Sequence, residues 1–190
     1  MSETETANNQ NDKAIIEKLP IRFISKVVRG FGRGSSELGI PTANLSREET
    51  ISSIANYDDL PCGIYWGFAR ILNPNSEAKG LVYKTAVSIG FNPYYHNTTK
   101  TVEPHLIAPT DIPNRTKSSC QETILNDFYD QSIRVTLVGY LRPELPFDGL
   151  ENLIKAIKND IGNAEKMGDG EDDYILKEKD WVDSDKSCAD

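Results

Sequence analysis

Long apolar runs, cysteine and histidine are all scarce in this sequence. No stretch approaches the roughly 18 consecutive apolar residues of a membrane-spanning helix, so no membrane association is expected. The three cysteines, Cys62, Cys120 and Cys188, show no CxxC or Cys/His spacing and are interpreted as free thiols of a reducing compartment. The polar, acidic N-terminus lacks the basic start and apolar core of a secretory signal. We therefore expect a cytoplasmic protein.

The net charge of -8 is concentrated at the two ends of the chain. Residues 171–190 hold eight acidic residues and three lysines, whereas the body of the chain is close to neutral. Within that body, residues 22–33 contain four cations and no acid: Arg22, Lys26, Arg29 and Arg33. This patch either attracts a polyanionic ligand or is a solvated strand edge, and charge alone favours neither.

The hydrophobic pattern predicts a single domain, 14–167, between an acidic, disordered N-terminal tail, 1–13, and an acidic C-terminal tail, 168–190. Part of the C-terminal tail is expected to dock through Tyr174, Ile175, Leu176 and Trp181. Five segments have the composition of strands: 21–28, 63–72, 81–89, 101–107 and 132–141. Polar links join them, and no helix alternates with them. An antiparallel sheet closed into a barrel is therefore favoured over a doubly wound parallel sheet.

One helix is predicted after the last strand. Apolar residues recur there with helical period: Leu150, Leu153, Ile154, Ile157 and Ile161. Asp148 has the position of an N-cap, with Glu151 at the spacing of a capping box. The apolar stripe is predicted to pack against the barrel rather than to bind a ligand.

A glycine-rich segment, RGFGRGSSELGIPTAN, occupies positions 29–44. Glycines at 30, 32 and 34 allow backbone amides to approach an anion without hindrance from a Cβ atom, although many such runs are only turns. No Gly-Lys-Ser/Thr follows, so the segment is not a Walker A loop. The third glycine also has the wrong spacing for a dinucleotide-binding fingerprint.

The end of this segment presents two neutral oxygen donors. Pro41 restricts the backbone, and in an extended chain the side chains of Thr42 and Asn44 point the same way. A hydroxyl and an amide carbonyl suit a Mg²⁺ ion whose other ligands are phosphates and water. The alternative is a Thr/Asn turn that closes a loop.

Several blocks of the sequence together resemble the riboflavin kinase (flavokinase) family, in its eukaryotic single-domain type. The blocks are VVRGFGRGSSELGIPTAN (27–44), CGIYWGFARI (62–71), VSIGFNPYY (87–95), KTVEPHLI (100–107) and DFYDQSIRVTLVGYLRPELPFDGLENLIKAIKNDI (127–161). The combination of a GxPTAN block, an SIGxNPxY block and a glutamate-bearing strand is specific to that family.

The resemblance implies a mainly β fold, a compact antiparallel Greek-key barrel of about six strands with a C-terminal helix against it. It implies ATP as co-substrate, riboflavin as acceptor, FMN and ADP as products, and Mg²⁺, with Zn²⁺ or Mn²⁺ as alternatives. The implied site residues are Gly30, Gly32, Gly34 and Ser36 for phosphates, Thr42 and Asn44 for metal, Leu106 and Tyr129 near the adenine nucleotide, Arg142, Leu145 and Glu151 on the flavin side, and Glu103 as base.

Glu103 fits the role that the resemblance gives it. The 5′-hydroxyl of riboflavin is a poor nucleophile, and a positioned carboxylate can accept its proton as the phosphoryl group is transferred. The two histidines, His96 and His105, are interpreted as packing or surface residues. The aromatic residues Phe91, Tyr94 and Tyr95 are expected in the core, with a wall of the flavin pocket as the alternative.

The rival hypothesis is a small β-barrel that binds flavin or nucleotide without turnover. The near-neutral body and the acidic tails argue against nucleic acid as a partner. The length leaves no room for a second catalytic domain, so FAD synthesis is not expected, and a monomer is expected. The long polar segment 107–127 is either a lid or a disordered insertion.

Overall fold

The fold was analysed in a computed structural model, in which residues 17–30, 40, 42–72, 81–91, 100–108 and 128–184 are described. Six strands form one antiparallel sheet. They are β1 (Ile21–Val28), β2 (Asn44–Leu45), β3 (Gly63–Ile71), β4 (Tyr83–Phe91), β5 (Lys100–Ile107) and β6 (Ser132–Arg142). The five longer strands confirm those predicted from the sequence, within two residues at most ends.

The sheet closes on itself as a nearly complete barrel. Its strand order is β2-β1-β6-β3-β4-β5, so the two edges are β2 and β5. These edges meet where the backbone amide of Ala43, just before β2, donates to the carbonyl of Pro104 in β5 at 2.9 Å. Closure satisfies backbone groups that an open edge would leave exposed. The predicted antiparallel barrel is confirmed.

The barrel interior is filled by alternate residues of the strands. In β1, Phe23, Ser25 and Val27 are all buried, as the period of two predicts. Tyr65, Val87, Val102 and other apolar side chains from the remaining strands complete this interior cluster. Such burial is the main source of the fold's stability.

Residues 46–60 add a short helix, α1 (Arg47–Ser53), and a 3₁₀ turn, Tyr57–Asp59, that pack into the interior cluster. Ser46 caps α1 by accepting from the amide of Glu49. Buried Lys100, at the start of β5, donates to the carbonyls of Asp58 at 2.8 Å and Leu60 at 2.6 Å. The ammonium group therefore fixes the 3₁₀ turn against the barrel.

Two C-terminal helices cover part of the outer face of the sheet. They are α2 (Leu150–Gly168) and α3 (Asp173–Asp183). Their buried side chains form a second apolar cluster with Trp66, Phe68, Ala86 and Val138 of the strands. No helix in the described ranges is long and apolar enough to span a membrane.

A buried ion pair attaches α3 to the sheet. Glu178 is 1% exposed, and its carboxylate accepts two hydrogen bonds from the Arg22 guanidinium, each 2.9 Å long. The Thr136 hydroxyl donates to the same carboxylate at 2.9 Å. Arg22 of the predicted basic patch is therefore engaged in packing, and Lys26 lies 3.5 Å from Glu49 on the surface. These contacts support a structural interpretation of that part of the patch.

The sequence-based expectations need two corrections. The N-cap of α2 is Gly149, whose φ of 86° is accessible to glycine, rather than Asp148, and no side chain caps this helix. The segment predicted as an acidic tail contains α3. Its inward face consists of Ile175, Glu178, Trp181 and Val182, of which Ile175 and Trp181 were expected to dock.

Candidate active site

An open cavity of about 640 Å³ lies on the outer face of β4 and β5, beneath the connection from β6 to α2. Its floor consists of Ser88 and Gly90 from β4 with Thr101 and Glu103 from β5. Ser88 pairs with Glu103 and Gly90 with Thr101 in the strand register. Alternation along both strands therefore places all four residues on one face.

Glu103 lies at the seam where the barrel closes. Its carboxylate accepts a hydrogen bond from the Thr101 hydroxyl at 3.1 Å and a longer one from the Thr42 hydroxyl at 3.5 Å. The Ala43–Pro104 backbone bond holds the two chain segments together at this point. Closure of the barrel thus brings the predicted base and one predicted metal ligand into contact.

The second predicted metal ligand, Asn44, lies beneath the start of the glycine-rich segment. A Cβ atom added to Gly30 would stand 2.6 Å from Asn44 Cγ, much closer than real Cβ contacts. A side chain at position 30 would displace the Asn44 amide, so glycine allows this close approach of the backbone. Gly30 thus approaches Asn44, and Thr42 contacts Glu103; Thr42 and Asn44 are two positions apart in the chain.

This set fits a hard divalent cation only together with a nucleotide. Thr42 and Asn44 offer neutral oxygens, which suit a Mg²⁺ ion that keeps phosphate and water ligands. Among the described residues, no group of three or more histidine, cysteine, aspartate or glutamate side chains is placed to hold a metal ion. A metal ion at Thr42 and Asn44 would need further ligands beyond these two side chains.

Tyr129 and Leu106, predicted on the nucleotide side, both pack against the interior cluster. The guanidinium carbon of Arg29 lies 4.5 Å from the centre of the Tyr129 ring, a cation–π contact. Because Gly30 follows Arg29, this contact links the first residues of the glycine-rich segment to the residues just before β6. The structure thus brings Tyr129 next to the segment predicted to bind phosphates.

The residues predicted on the flavin side differ in their surroundings. Leu145 lines the cavity with 53% of its surface exposed, whereas Glu151 is exposed on the first turn of α2 and is not among the lining residues. Arg142 forms a bidentate pair with buried Asp160 of α2, with Nη2 2.6 Å from Oδ2. Arg142 therefore joins β6 to α2 beside the cavity.

Several predicted features lie outside the described residues. They are Gly32, Gly34, Ser36, Tyr94, Tyr95 and His96, most of the segment 107–127, and the tail 1–13. His105 is half-buried in β5 and is not among the residues that line the cavity. Cys62 is a free thiol, as predicted.

Apolar side chains form the rim of the cavity. Three of them were expected elsewhere. Phe91, expected in the core, is 47% exposed at the rim. Leu150 and Leu153, expected only to pack against the barrel, line the cavity as well. Phe91 at the end of β4 and the two leucines at the start of α2 therefore line the same cavity.

Glu144 is a cavity residue that the sequence analysis missed. It lies in the connection from β6 to α2, and its carboxylate occupies the space that a side chain at Gly90 would fill. Burial raises the pKa of Glu144, as does the Glu103 carboxylate, while Arg142 opposes the shift. Glu144 could have been found from the sequence by its place between Arg142 and Leu145, which were both predicted on the flavin side.

Comparison with known proteins agrees with this geometry. The profile of the Flavokinase family, described as riboflavin kinase, matches residues 17–168. The mouse riboflavin kinase is 42% identical over 163 residues, covering 86% of this chain and 90% of that protein. The human riboflavin kinase is 41% identical over 169 residues, covering 89% and 94%.

A solved structure supports the same fold. The crystal structure of riboflavin kinase from Trypanosoma brucei has a TM-score of 0.53 at 22% identity, covering 88% of this chain and 92% of that one. Fold and sequence together define an enzyme of the kinase class. The chain belongs to the riboflavin kinase family.

Proposed function

We propose that this enzyme transfers the terminal phosphoryl group of ATP to the 5′-hydroxyl of riboflavin, forming FMN and ADP. The observation that supports the proposal most is the contact between Thr42 and Glu103, a residue on the floor of an open cavity. This contact puts a proton acceptor next to a polar segment suited to phosphates and metal. A flavin binder without turnover has no need of that arrangement.

In this mechanism Glu103 acts as the general base. A hydroxyl placed at the cavity floor donates its hydrogen bond to the carboxylate, and the proton passes to it as the oxygen attacks phosphorus. The Thr101 hydroxyl, 3.1 Å from the carboxylate, holds the side chain in place. The carboxylate is half-buried at the seam of the barrel, where its rotation is limited.

The phosphates of ATP lie over the glycine-rich segment in this proposal, with Gly30, Gly32, Gly34 and Ser36 around them. Thr42 and Asn44 would hold Mg²⁺, which would neutralise charge on the phosphates. The close approach of Gly30 to Asn44 supports a common site for the phosphate and metal ligands. Leu106 and Tyr129 lie on the adenine side.

The flavin enters from the opposite side of Glu103. Leu145 and the other apolar residues at the rim suit the isoalloxazine ring, and the floor suits the polar chain that carries the 5′-hydroxyl. Arg142 and Glu151 flank this side. The substrate thereby lies with its ring at the mouth and its reacting oxygen at the floor.

One assay separates this function from inert binding. Incubation of the purified protein with riboflavin, ATP and Mg²⁺ is expected to yield FMN and ADP in equal amounts, with no FAD. Omission of either ATP or the divalent ion is expected to stop the reaction. Flavin binding without ADP release in the complete mixture would support the rival hypothesis of an inert barrel.

The remaining expectations belong to the same proposal. The enzyme acts in the cytoplasm as a monomer, with Mg²⁺ rather than Zn²⁺ or Mn²⁺ as its usual ion, and it does not bind nucleic acid. Its body is close to neutral, and Arg22, part of its only dense basic segment, is paired with a buried carboxylate. Little cationic surface is therefore left there for a nucleic acid.

A further inference from the structure

Glu144 lines the cavity and is an exposed residue of the connection from β6 to α2. Among the described parts of the chain, no hydrogen-bond donor reaches it. The nearby cation, Arg142, is bound to both oxygens of Asp160. The two carboxylate oxygens of Glu144 are therefore open to hydrogen-bond donors of a ligand in the cavity.

The fold holds this carboxylate in the cavity by a close fit. A Cβ atom on Gly90 would overlap the Glu144 carboxylate, so the bare backbone of β4 makes room for it. Gly90 pairs with Thr101, whose hydroxyl donates to Glu103. Glu144 therefore stands beside the same strand pair as Glu103, on the same face of the sheet.

The neighbourhood of Glu144 indicates which ligand supplies the donors. Like charge disfavours a phosphate next to Glu144. The next residue, Leu145, belongs to the apolar rim, so Glu144 lies where the rim meets the floor. Consider a ligand whose flat apolar ring lies at the rim and whose terminal hydroxyl lies at Glu103. The chain that joins its ring to this hydroxyl would lie next to Glu144.

We propose that Glu144 accepts hydrogen bonds from the internal hydroxyls of the ribityl chain and thereby selects flavins that carry a polyol. The inference rests on the proposed function, because it takes the terminal hydroxyl of the chain to lie at Glu103. A carboxylate has two oxygens and can accept from two neighbouring hydroxyls at once. Binding through Glu144 also fixes the direction of the chain, so that the terminal hydroxyl is the one presented to the base.

The test compares two substrates in three proteins. The substrates are riboflavin and an analogue with the same ring and a 5-hydroxypentyl chain, which keeps the terminal hydroxyl and lacks the other three. The proteins are the wild type, Glu144→Ala, and Glu48→Gln as a control for loss of one surface carboxylate. Glu48 is exposed on α1, outside the cavity.

The wild type and the control are expected to prefer riboflavin by on the order of 10- to 100-fold in kcat/KM, the usual worth of hydrogen bonds to a charged group. In Glu144→Ala this preference is expected to fall to about threefold or less, through a higher KM for riboflavin and an unchanged KM for the analogue. Glu144→Gln, which keeps one acceptor oxygen, is expected to lie between them.

Equal weakening toward both flavins would show that Glu144 only supports the fold, and a loss confined to kcat would assign it to chemistry; either overturns the inference. The affinity of each flavin is measured in parallel by quenching of flavin fluorescence, which needs no turnover. A wild type that binds both flavins but makes no ADP contradicts the proposed function alone. The ratio of the two affinities still decides the role of Glu144.

Discussion

The Thr42 hydroxyl lies 3.5 Å from the Glu103 carboxylate, although 61 positions separate the two residues in the chain. The closure of the barrel between the segment before β2 and strand β5 creates this contact. It joins the two halves of the proposed chemistry, the binding of metal and phosphate on one side and the removal of a proton on the other.

Replacement of Glu103 by glutamine tests the base directly. Glutamine keeps the length and the hydrogen-bonding reach of the side chain but accepts no proton. We expect kcat to fall by roughly 10²–10⁴-fold while the affinity for ADP is retained. Thr101→Val, which removes only the supporting hydroxyl, is expected to have a smaller effect, and a drop below about threefold in Glu103→Gln would exclude general-base catalysis by this residue.

Thr42→Ala and Asn44→Ala test the metal ligands. Neutral donors alone hold Mg²⁺ weakly, so metal and nucleotide should bind together, each strengthening the other by the same factor. Both variants should raise the Mg²⁺ concentration needed for activity and leave the melting temperature nearly unchanged. Calorimetric titration of Mg²⁺ with and without ADP measures the coupling, and tight binding of Mg²⁺ without nucleotide contradicts the assignment.

Gly30→Ala tests the position of Asn44 without removing a metal ligand. The added methyl group meets the Asn44 side chain, which must move away. We expect the variant to show the raised Mg²⁺ requirement of Asn44→Ala although no ligand has been removed. Gly162→Ala in α2, where a Cβ atom has nothing within 4 Å, is the matched control and should retain full activity and gain about 1 kcal/mol of stability.

Removal of Arg22 tests the buried ion pair. Arg22→Ala leaves Glu178 charged, 1% exposed and without its main partner, so we expect a loss of about 3–5 kcal/mol in the free energy of unfolding. The double variant Arg22→Met with Glu178→Leu should recover most of that loss. Lys26→Ala, at an exposed ion pair, should lower the free energy of unfolding by less than about 1 kcal/mol. Urea titration measures the free energy of unfolding of all these variants.

The raised pKa of Tyr57 predicts that the protein loses stability at alkaline pH. Burial raises its pKa from 10.0 to about 12; Arg47 lowers it, and Asp58 and Cys62 add to the rise. Below pH 10 the phenol is protonated in both the folded and the unfolded protein. Between pH 10 and 12 the unfolded chain loses the proton more readily, so stability falls as pH rises.

The variant Tyr57→Phe cannot titrate and loses one hydrogen bond, from the phenol to the Lys100 carbonyl. At pH 7 it should be about 1 kcal/mol less stable than the wild type. This gap should shrink by up to about 1.4 kcal/mol per pH unit above pH 10. Urea unfolding at pH 7 and 11 measures the change, and an equal gap at both values contradicts the burial of a titrating phenol.

The strands could be predicted from the sequence because one side of each faces an apolar interior. Phe23, Ser25 and Val27 alternate with half-buried residues, and that period fixes the strand and its inward face. Helix α3 was not predicted, because its buried face includes Glu178, a charge that only its fit to Arg22 and Thr136 makes tolerable. Partners far away in the chain decide such a position.

The same reason limits what the sequence tells about the site. Thr42, Asn44 and Glu103 belong to motifs that resemble a known family, so they could be named one by one. Their mutual contacts depend on which strand edges meet, which no local pattern contains. Glu144 belongs to no short motif, and its place beside Gly90 follows from the course of a connection between strand and helix.

The hydrogen bond from Ala43 to Pro104 closes the barrel between the segment before β2 and strand β5. If this seam opens while the interior cluster stays packed, Thr42 separates from Glu103 and activity is lost in a molecule that is otherwise folded. A nucleotide held on one side of the seam and a flavin on the other favour the closed form through their own binding energy. Bound substrates would therefore stabilise the closure between the segment before β2 and strand β5.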